Sequence, residues 1–438
     1  NNAGGWHCMV AIADVSWYVR SGDSLDKEAF KRGNSVYFPD RVVPMLPEEL
    51  SNGWCSVRPD EDRGCLAARF WLDKDGNKLR HKFVRAMMRS AARLTYAQVQ
   101  KARDGQTDEL TGPLAEPVIA PLYGAWAALL AARTRRGVLE LDIPERKVDI
   151  DENGRVLGIK VRERFDSHRL IEDFMIQANV CAAEELERVH KPCMYRIHDQ
   201  PSLEKLESLR EFLRSLDLSL PKGQALRPAQ LNQILEKVKD GPNEVLVNEV
   251  MLRSQAQAVY SPENIGHFGL GLARYAHFTS PIRRYADLLV HRALVSGLKL
   301  GDGGLPPDCL PQFPEWGEHI SITERRAAAA EREAVDRYVT AFLSDRVGAS
   351  FAAKISGVTR FGLFVTLVDT GADGIIPIGT LPEDYYVHDE VHHCLVGKRT
   401  RKSFQLGQML EVVLREANAL TGSMVFQLEG SGPQVRAT

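Results

Sequence analysis

Cysteine is scarce in this 438-residue chain and never closely spaced. The seven thiols (Cys8, Cys55, Cys65, Cys181, Cys193, Cys309 and Cys394) stand singly, with no CxxC pair, which argues against zinc knuckles and a disulfide framework. A reducing, cytoplasmic setting is expected. Also missing is an apolar run long enough to span a membrane, so no membrane association is expected. The start, Asn1-Asn2-Ala3-Gly4-Gly5-Trp6, has neither an initiator Met nor the basic-then-apolar order of a signal peptide, and reads as the start of a fragment. Charge of one sign is not in excess either. Lys and Arg number 56 against 58 Asp and Glu, a net charge of −2. That balance argues mildly against a protein coated in nucleic acid but leaves room for a local basic groove.

At this length one core is not enough, and two or three domains are expected. Up to Ala92 the pattern is of strands and turns. Met9–Val15 is an apolar run that includes Asp14, and Arg63–Leu72 and Lys82–Ala92 are further strands around the turn Asp75-Gly76-Asn77. Helices dominate the middle. Leu170, Ile171, Phe174, Met175, Ala178 and Ala182 form a helical stripe that predicts a helix over His168–His190, and Ser202–Leu216 and Asn248–Tyr260 predict two more. Gly301–Trp316 reads as a loop. Ser321-x-x-Glu324 is then a capping box opening a long helix toward Phe342, with Ile322, Val335, Val339 and Phe342 on its inner face. Beyond it the period changes. Ala352–Val358, Gly362–Leu367, Gly374–Pro377, Met409–Ala417 and Ser423–Leu428 predict a small five-stranded barrel such as an OB-fold.

The most informative stretch is His267–Arg292, HFGLGLARYAHFTSPIRRYADLLVHR. Thr279 or Ser280 is expected to cap a helix, with Pro281 in its first turn and Ile282, Tyr285, Ala286 and Leu289 as its buried stripe. Arg283, Asp287 and His291 recur every four residues and share the other face. Cations in a first turn oppose the helix dipole. Arg283 and Arg284 there imply either a bound anion, with phosphate the obvious candidate, or pairing with neighbouring carboxylates. Gly269-x-Gly271 has no third glycine and no clear preceding strand, so it is not read as a dinucleotide loop.

The run Thr279–Arg292 (Thr-Ser-Pro-Ile-Arg-Arg-Tyr-x-Asp-Leu-x-x-His-Arg) is very similar to the signature of the RNB family. The resemblance is to the RNase II/RNase R group, RNase R-like and without the N-terminal cold-shock region, and it covers nearly all of residues 6–345. Val10–Val15 resembles the strand beside the family's metal site. Tyr37-Phe38-Pro39 with Val43–Pro47 resembles the segment whose Tyr packs on a nucleotide near the 3′ end. Leu94–Val99 resembles the segment with a second active-site Tyr, here Tyr96, and Ile171–Asn179 the helix with a pocket carboxylate, here Glu172. Taken alone, Tyr37 and Tyr96 also suit plain ring packing, and Glu172 a solvated helix face. Glu172 and Asn179 are seven residues apart, however, and so point the same way, toward a shared polar pocket.

The resemblance implies an α+β architecture, with an RNB catalytic domain of mixed sheet and helices over 1–346 and an S1-type OB-fold β-barrel over 347–438. Gly357–Val365, Gly374–Pro377 and Leu406–Gln408 resemble the S1 domain. Phe361 reads as a stacking platform and Phe364 as barrel core, while Arg360 and the run Lys398-Arg399-x-Arg401-Lys402 supply charge. His388–Cys394 invites a zinc reading, but its acid is misplaced for a HExxH motif and the segment reads as a solvated loop insertion. The implied activity is processive 3′→5′ hydrolysis of single-stranded RNA to nucleoside 5′-monophosphates by a monomer using Mg2+ or Mn2+. Arg283, Glu172 and Tyr96 would act at the catalytic centre, and Tyr37, Arg284, Phe361 and Arg360 would bind substrate.

Two departures from the family pattern stand out. The family holds its metal ions on an aspartate cluster just before the strand matched by Val10–Val15, and this sequence starts downstream of that place. The metal ligands are therefore unknown, and Asp14 is not read as one. Either the aspartates precede Asn1, or the chain is a non-catalytic RNA-binding relative that has lost them. Within Arg136–Leu141, the aromatic that would clamp a terminal base opposite Tyr37 is matched by Leu141, which cannot stack as a ring does.

Overall fold

Period-two burial sets up the first sheet. In the computed structural model, which describes residues 4–141, 146–221, 226–390 and 392–430, β1 (Trp6–Ala13) buries Cys8, Val10 and Ala13 and leads into the short α1 (Val15–Tyr18). Asp23 caps α2 (Ser24–Arg32), and β2 (Val36–Tyr37) pairs with β3 (Val42–Val43). β4 (Asp62–Leu72) and β5 (Lys78–Arg89) complete an antiparallel sheet of order β1-β4-β5. The β4–β5 turn needs Gly76, which has φ of +79° and where a Cβ would strike the Ala128 carbonyl.

Thr95 and Gln98 form a capping box on α3 (Tyr96–Arg103), and Gly137 ends α4 (Ala120–Arg136) in the left-handed conformation. The hairpin β6 (Arg146–Ile150) and β7 (Val156–Val161) precedes α5 (Asp166–Arg188), which packs on the inner face of the sheet. After β8 (Tyr195–Ile197) come α6 (Leu203–Ser215), α7 (Pro228–Val238) and α8 (Glu244–Ser254), and β9 (Val259–Ser261) returns to pair with β8. α9 (Tyr285–Gly297) is buried from Tyr285 to Val295, and α10 (Phe313–Ser344) runs for 32 residues. The first core joins Phe70 of β4, Phe174 and Ala178 of α5, and Leu288 and Leu289 of α9.

One charge sits at the centre of that core. Arg292 is wholly buried; it bonds Asp26 on α2 at 2.8 Å, the Val19 carbonyl at 2.8 Å and the Tyr285 hydroxyl at 3.3 Å. Tyr285 in turn donates to Asp26 at 2.8 Å. A buried ion survives only when it is paired and hydrogen-bonded, so this node fixes α9 against the N-terminal helices.

The barrel strands are β10 (Ser350–Thr359), β11 (Gly362–Leu367), β12 (Asp373–Pro377), β16 (Met409–Asn418) and β17 (Ser423–Leu428), closed in the order β10-β11-β12-β17-β16. A three-stranded sheet of β13 (Tyr386–Asp389), β14 (Cys394–Gly397) and β15 (Ser403–Gln405) is inserted between β12 and β16. Its interior is part of a second core. There Ile355, Val365, Val412 and Phe426 of the barrel meet Leu209 and Phe212 of α6, Ile234 of α7, Leu246 and Met251 of α8, and Leu343 of α10. Arg253 of α8 also donates to the Ser356 carbonyl at 2.9 Å. The chain passes from α10 to the barrel between Ser344 and Ser350, but the apolar packing is continuous across that point.

Several sequence expectations are corrected. The long helix starts at Phe313, with Pro314 in its first turn, rather than at Ser321. Ser321 lies inside it, donating to the Gly317 carbonyl and accepting from the Tyr260 N–H. Of the expected inner face Val339 is buried and Val335 and Phe342 are partly buried, but Ile322 is 47% exposed, and Ile320, Thr323, Ala327 and Leu343 are buried as well. The helix expected over Asn248–Tyr260 is α8, which begins at Glu244 and ends at Ser254, because the chain then turns extended into β9. His388–Cys394 lies largely in β13, β14 and the turn between them, with residue 391 outside the described residues. The helical run Gly112–Arg136 is, by length and composition, apolar enough to cross a membrane, contrary to the sequence reading. Its Trp126 and Arg133 bond Asp173 on α5, and Ala125, Trp126 and Leu129 belong to the first core. All seven cysteines are buried and free.

Replacing Asp26 with Ala strands the Arg292 guanidinium in the core. The expected loss of folding free energy is about 3–5 kcal/mol, measured by urea denaturation. A loss within a few tenths of a kcal/mol would show that Arg292 does not depend on this partner.

Candidate functional site

The segment Gly33–Ser35 lies antiparallel to Arg283–Tyr285. Ser35 N–H donates to the Arg283 carbonyl at 3.0 Å and Tyr285 N–H to the Gly33 carbonyl at 2.9 Å. Gly33, at φ +74°, has no room for a Cβ, which would meet the Thr323 hydroxyl at 1.9 Å. This pairing sets Tyr37 beside Arg283. From α10, the Glu331 carboxylate accepts the Tyr37 N–H at 2.7 Å, leaving the ring 46% exposed. Tyr37, Arg283, Arg284, Asn34, Tyr260 and Glu324 line one cavity of about 210 Å³ with Glu331. Two further groups in it already have partners. Arg196 bonds Glu324 at 2.6 Å and lies over the Tyr260 ring, and the Tyr260 hydroxyl meets His277 Nδ1 at 2.9 Å.

The two arginines of the motif part ways. Neither Thr279 nor Ser280 caps α9: the residues from Pro281 form a turn, and the helix begins at Tyr285 with Arg284 as its extended N-cap. The organiser is Asp287, wholly buried, which accepts the Ser280 N–H at 2.7 Å and both Nε and Nη2 of Arg284 at 2.7 and 2.9 Å. Nor do Asp287 and His291 share an exposed face with Arg283, since both are at 0% exposure. Of the two possibilities the sequence left open, Arg284 takes the carboxylate. Arg283 is exposed, and no carboxylate among the described residues pairs with it.

Glu172 and Tyr96 lie elsewhere, at the N-terminal end of α5. Glu172 is paired with Arg164 at 2.8 Å and lies 3.9 Å from Arg133, in a groove of about 580 Å³ that Leu139, Glu140 and Leu141 also line. Leu141 therefore faces Glu172's groove and not the cavity of Tyr37. Tyr96, half exposed, stacks on His168 with ring centroids 4.0 Å apart. The pocket expected to join Glu172 to Asn179 does not form. Asn179 is buried, donating to the Tyr275 hydroxyl at 3.1 Å and accepting the Phe278 N–H at 2.8 Å.

Sequence reasoning missed Asn34 and Glu331. Asn34 Oδ1 is buried in the Tyr37–Arg283 cavity without a hydrogen-bond partner, a polar atom needing a donor. Glu331 is 294 residues from Tyr37 and leaves no local signal of that contact.

Divalent metal does not fit the residues present. Among the described residues no group of three His, Cys, Asp or Glu side chains could hold an ion. Asp14 is buried against Arg85 and Ser16, and Asp287 is taken by Arg284.

On the barrel, Phe361 is 64% exposed with the Arg360 guanidinium 4.8 Å over its ring. Phe364, expected in the barrel core, is 45% exposed: Leu363 and Val365 take the inward positions, and strand alternation turns Phe364 out. The two rings together give the barrel an exposed aromatic surface beside a cation.

A family model described as "RNB domain" matches residues 1–299, and one described as "S1 RNA binding domain" matches residues 344–426. Ribonuclease R of Escherichia coli (strain K12) is 41% identical over 438 residues, covering 98% of this chain and 54% of its own. Ribonuclease R of Aquifex aeolicus (strain VF5) is 41% identical, covering 93% of this chain and 58% of its own. The chain thus spans about half the length of the curated relatives it matches. Among solved structures, Mycoplasma genitalium RNase R in complex with ribose methylated single-stranded RNA superposes with a TM-score of 0.92 at 30% identity, over 96% of this chain and 66% of that one. Yeast Ssd1, a pseudonuclease, superposes with a TM-score of 0.70 at 19% identity, over 90% of this chain and 49% of that one, a likeness of fold alone.

Burial, reinforced by Arg284 and Arg196, holds His277 well below the ordinary imidazole value; burial, with His198 and Arg196 nearby, lowers His267 to about 3. A depressed folded-state value means the unfolded chain binds protons first. The stability these neutral rings carry is thus complete above pH of about 6.5 and is lost as pH falls toward the folded values. The urea midpoint is expected to drop between pH 7 and pH 5. A flat profile there would show that the imidazoles protonate equally in both states.

Proposed function

The chain belongs to the RNB-domain family, and from that premise we propose that it binds single-stranded RNA and degrades it from the 3′ end as part of an exoribonuclease, releasing nucleoside 5′-monophosphates. The observation that carries the reading is the Arg283 guanidinium, which no carboxylate among the described residues pairs, beside the half-exposed Tyr37 ring in one cavity. A guanidinium without a carboxylate partner suits a phosphodiester oxygen, and a half-exposed ring suits a base. Arg284 acts one step back, holding the turn that presents Arg283. The orphaned Asn34 Oδ1 suits a ribose hydroxyl as donor, a group that DNA lacks at the 2′ position.

At the second groove Glu172 orders Arg164, and near the start of α5 Tyr96 offers an edge of its stacked ring to the strand. Phe361, Phe364 and Arg360 guide RNA from the barrel by stacking and charge. The similar structure from Mycoplasma genitalium is of a complex with single-stranded RNA, in keeping with this reading. The chain is proposed to act as a monomer in the cytoplasm. Mg2+ or Mn2+ is proposed as cofactor on ligands outside the described residues. The second reading is an RNA-binding relative in which the same Arg283–Tyr37 cavity holds RNA without cutting it.

Digestion of a 5′-labelled single-stranded RNA with Mg2+ or with EDTA decides between them. Mg2+-dependent shortening to one small product supports hydrolysis from the 3′ end. Intact RNA held in a salt-sensitive complex supports the second reading, and RNA neither held nor shortened removes both. Arg283→Ala is expected to weaken retention about tenfold or more, since a hydrogen bond to a charged group contributes about 1.5–3 kcal/mol. Unchanged retention would remove the phosphate role of Arg283.

A further inference from the structure

The outer face of the β1-β4-β5 sheet carries charge that the fold does not use. Strand alternation and register place His7, Trp71 and Arg80 in one row across the three strands, and Met9, Arg69 and Lys82 in the next. Neither arginine nor Lys82 pairs with a carboxylate among the described residues; the acids at this end of the sheet, Asp73 and Asp75, sit in the β4–β5 turn, with the Asp73 carboxylate taken by Asn77. The opposite face packs the core through Cys8, Val10, Phe70 and Phe83.

The rows are organised by stacking. The Trp71 indole lies parallel to the His7 ring, 3° apart with centroids at 4.3 Å, and the Arg80 guanidinium covers its other side at 3.9 Å. Arg69 lies 5.4 Å from the same indole and donates from Nε to His7 Nε2 at 3.2 Å. His7 Nε2 is therefore an acceptor, and burial together with the two guanidiniums holds His7 below the ordinary imidazole value. At neutral pH the imidazole is an uncharged stacking surface, while Arg69, Arg80 and Lys82 supply three positive charges. Both ends of the Arg80–Trp71–His7 stack are exposed, as is Met9 beside it.

We propose that this sheet face is a second RNA-binding surface, separate from the Arg283 cavity, that holds single-stranded RNA with its phosphates on Arg69, Arg80 and Lys82 and an unpaired base on an open end of the Arg80–Trp71–His7 stack. Two guanidiniums oriented by Trp71 and His7, with Lys82 beside them and no carboxylate pairing with any of the three among the described residues, match a polyanion, and a stack that ends in an open planar group matches a base free of its partner. A duplex supplies the phosphates but no free base. The proposal rests on the RNA-binding reading above and extends it to residues that no comparison singles out.

Anisotropy of a labelled single-stranded RNA, titrated in EDTA over a salt series, tests it with three proteins: the unaltered chain, Arg283→Ala, and the charge-reversed R69E/R80E/K82E. Each phosphate neutralised on single-stranded nucleic acid contributes roughly 0.7 to the slope of log K against log salt, so the triple change is expected to flatten the slope by about 2. An unchanged slope in the triple variant, with affinity still lost in Arg283→Ala, overturns the sheet surface and leaves the cavity standing. An unaltered chain that binds no RNA overturns both. Photocrosslinking of 4-thiouridine RNA to the unaltered chain keeps the test valid should the triple variant misfold. Adducts on the peptides of His7 or Trp71 are expected, and adducts confined to the peptide of Tyr37 and to the barrel overturn the proposal. Equal competition by poly-glutamate or by duplex RNA would also overturn it, since the surface would then respond to charge alone.

Discussion

A carboxylate with no access to water must find all its partners within the protein, and Asp287 is the one on which the candidate site depends. Its three accepted hydrogen bonds come from the backbone of Ser280 and the side chain of Arg284, so the chain before α9 has to turn where it does. That turn consumes one arginine and frees the other. Replacing the pair by apolar groups need not cost stability, because desolvation offsets much of a buried pair's attraction. What the pair supplies is direction: the turn points Arg283 at the edge where Gly33–Ser35 delivers Tyr37. Arg292 does the same for the rest of α9, anchoring it through Asp26.

The barrel strands were legible because alternation of inward and outward residues is a local property, as was α5 with its helical stripe. The same alternation would have placed Phe364 outside, had Leu363 and Val365 been taken as the inward pair. The start of α10 was hidden because Pro and Gly before Phe313 suggest a loop, while Pro314 is in fact suited to a first turn. The end of α8 is not marked in the sequence, because Gln255 turns extended with no Gly or Pro to signal it and Val259–Ser261 then pairs with β8.

The candidate site was half legible. The motif pointed to Arg283 and the resemblance to Tyr37, and the two share a cavity. The role of Glu331 depends on a contact 294 residues away, that of Arg284 on a turn that brings it back to Asp287, and that of Asn34 on an oxygen left without a partner, and no periodicity carries that information. Glu172 and Asn179 were expected together from helical spacing alone. Two positions seven apart on α5 do face the same way, but one end of the helix lies at a groove and the other in the core.

The second core has a mechanical consequence. Because α6, α7, α8 and α10 share their apolar contacts with the barrel, the barrel cannot swivel without opening buried surface. The interval between the Phe361 surface and the Arg283 cavity is thereby fixed, and the fold acts as a ruler. On the proposed RNA-binding reading, a polynucleotide too short to span that interval would grip one station at a time, whereas a longer one would be held at both and be less free to escape.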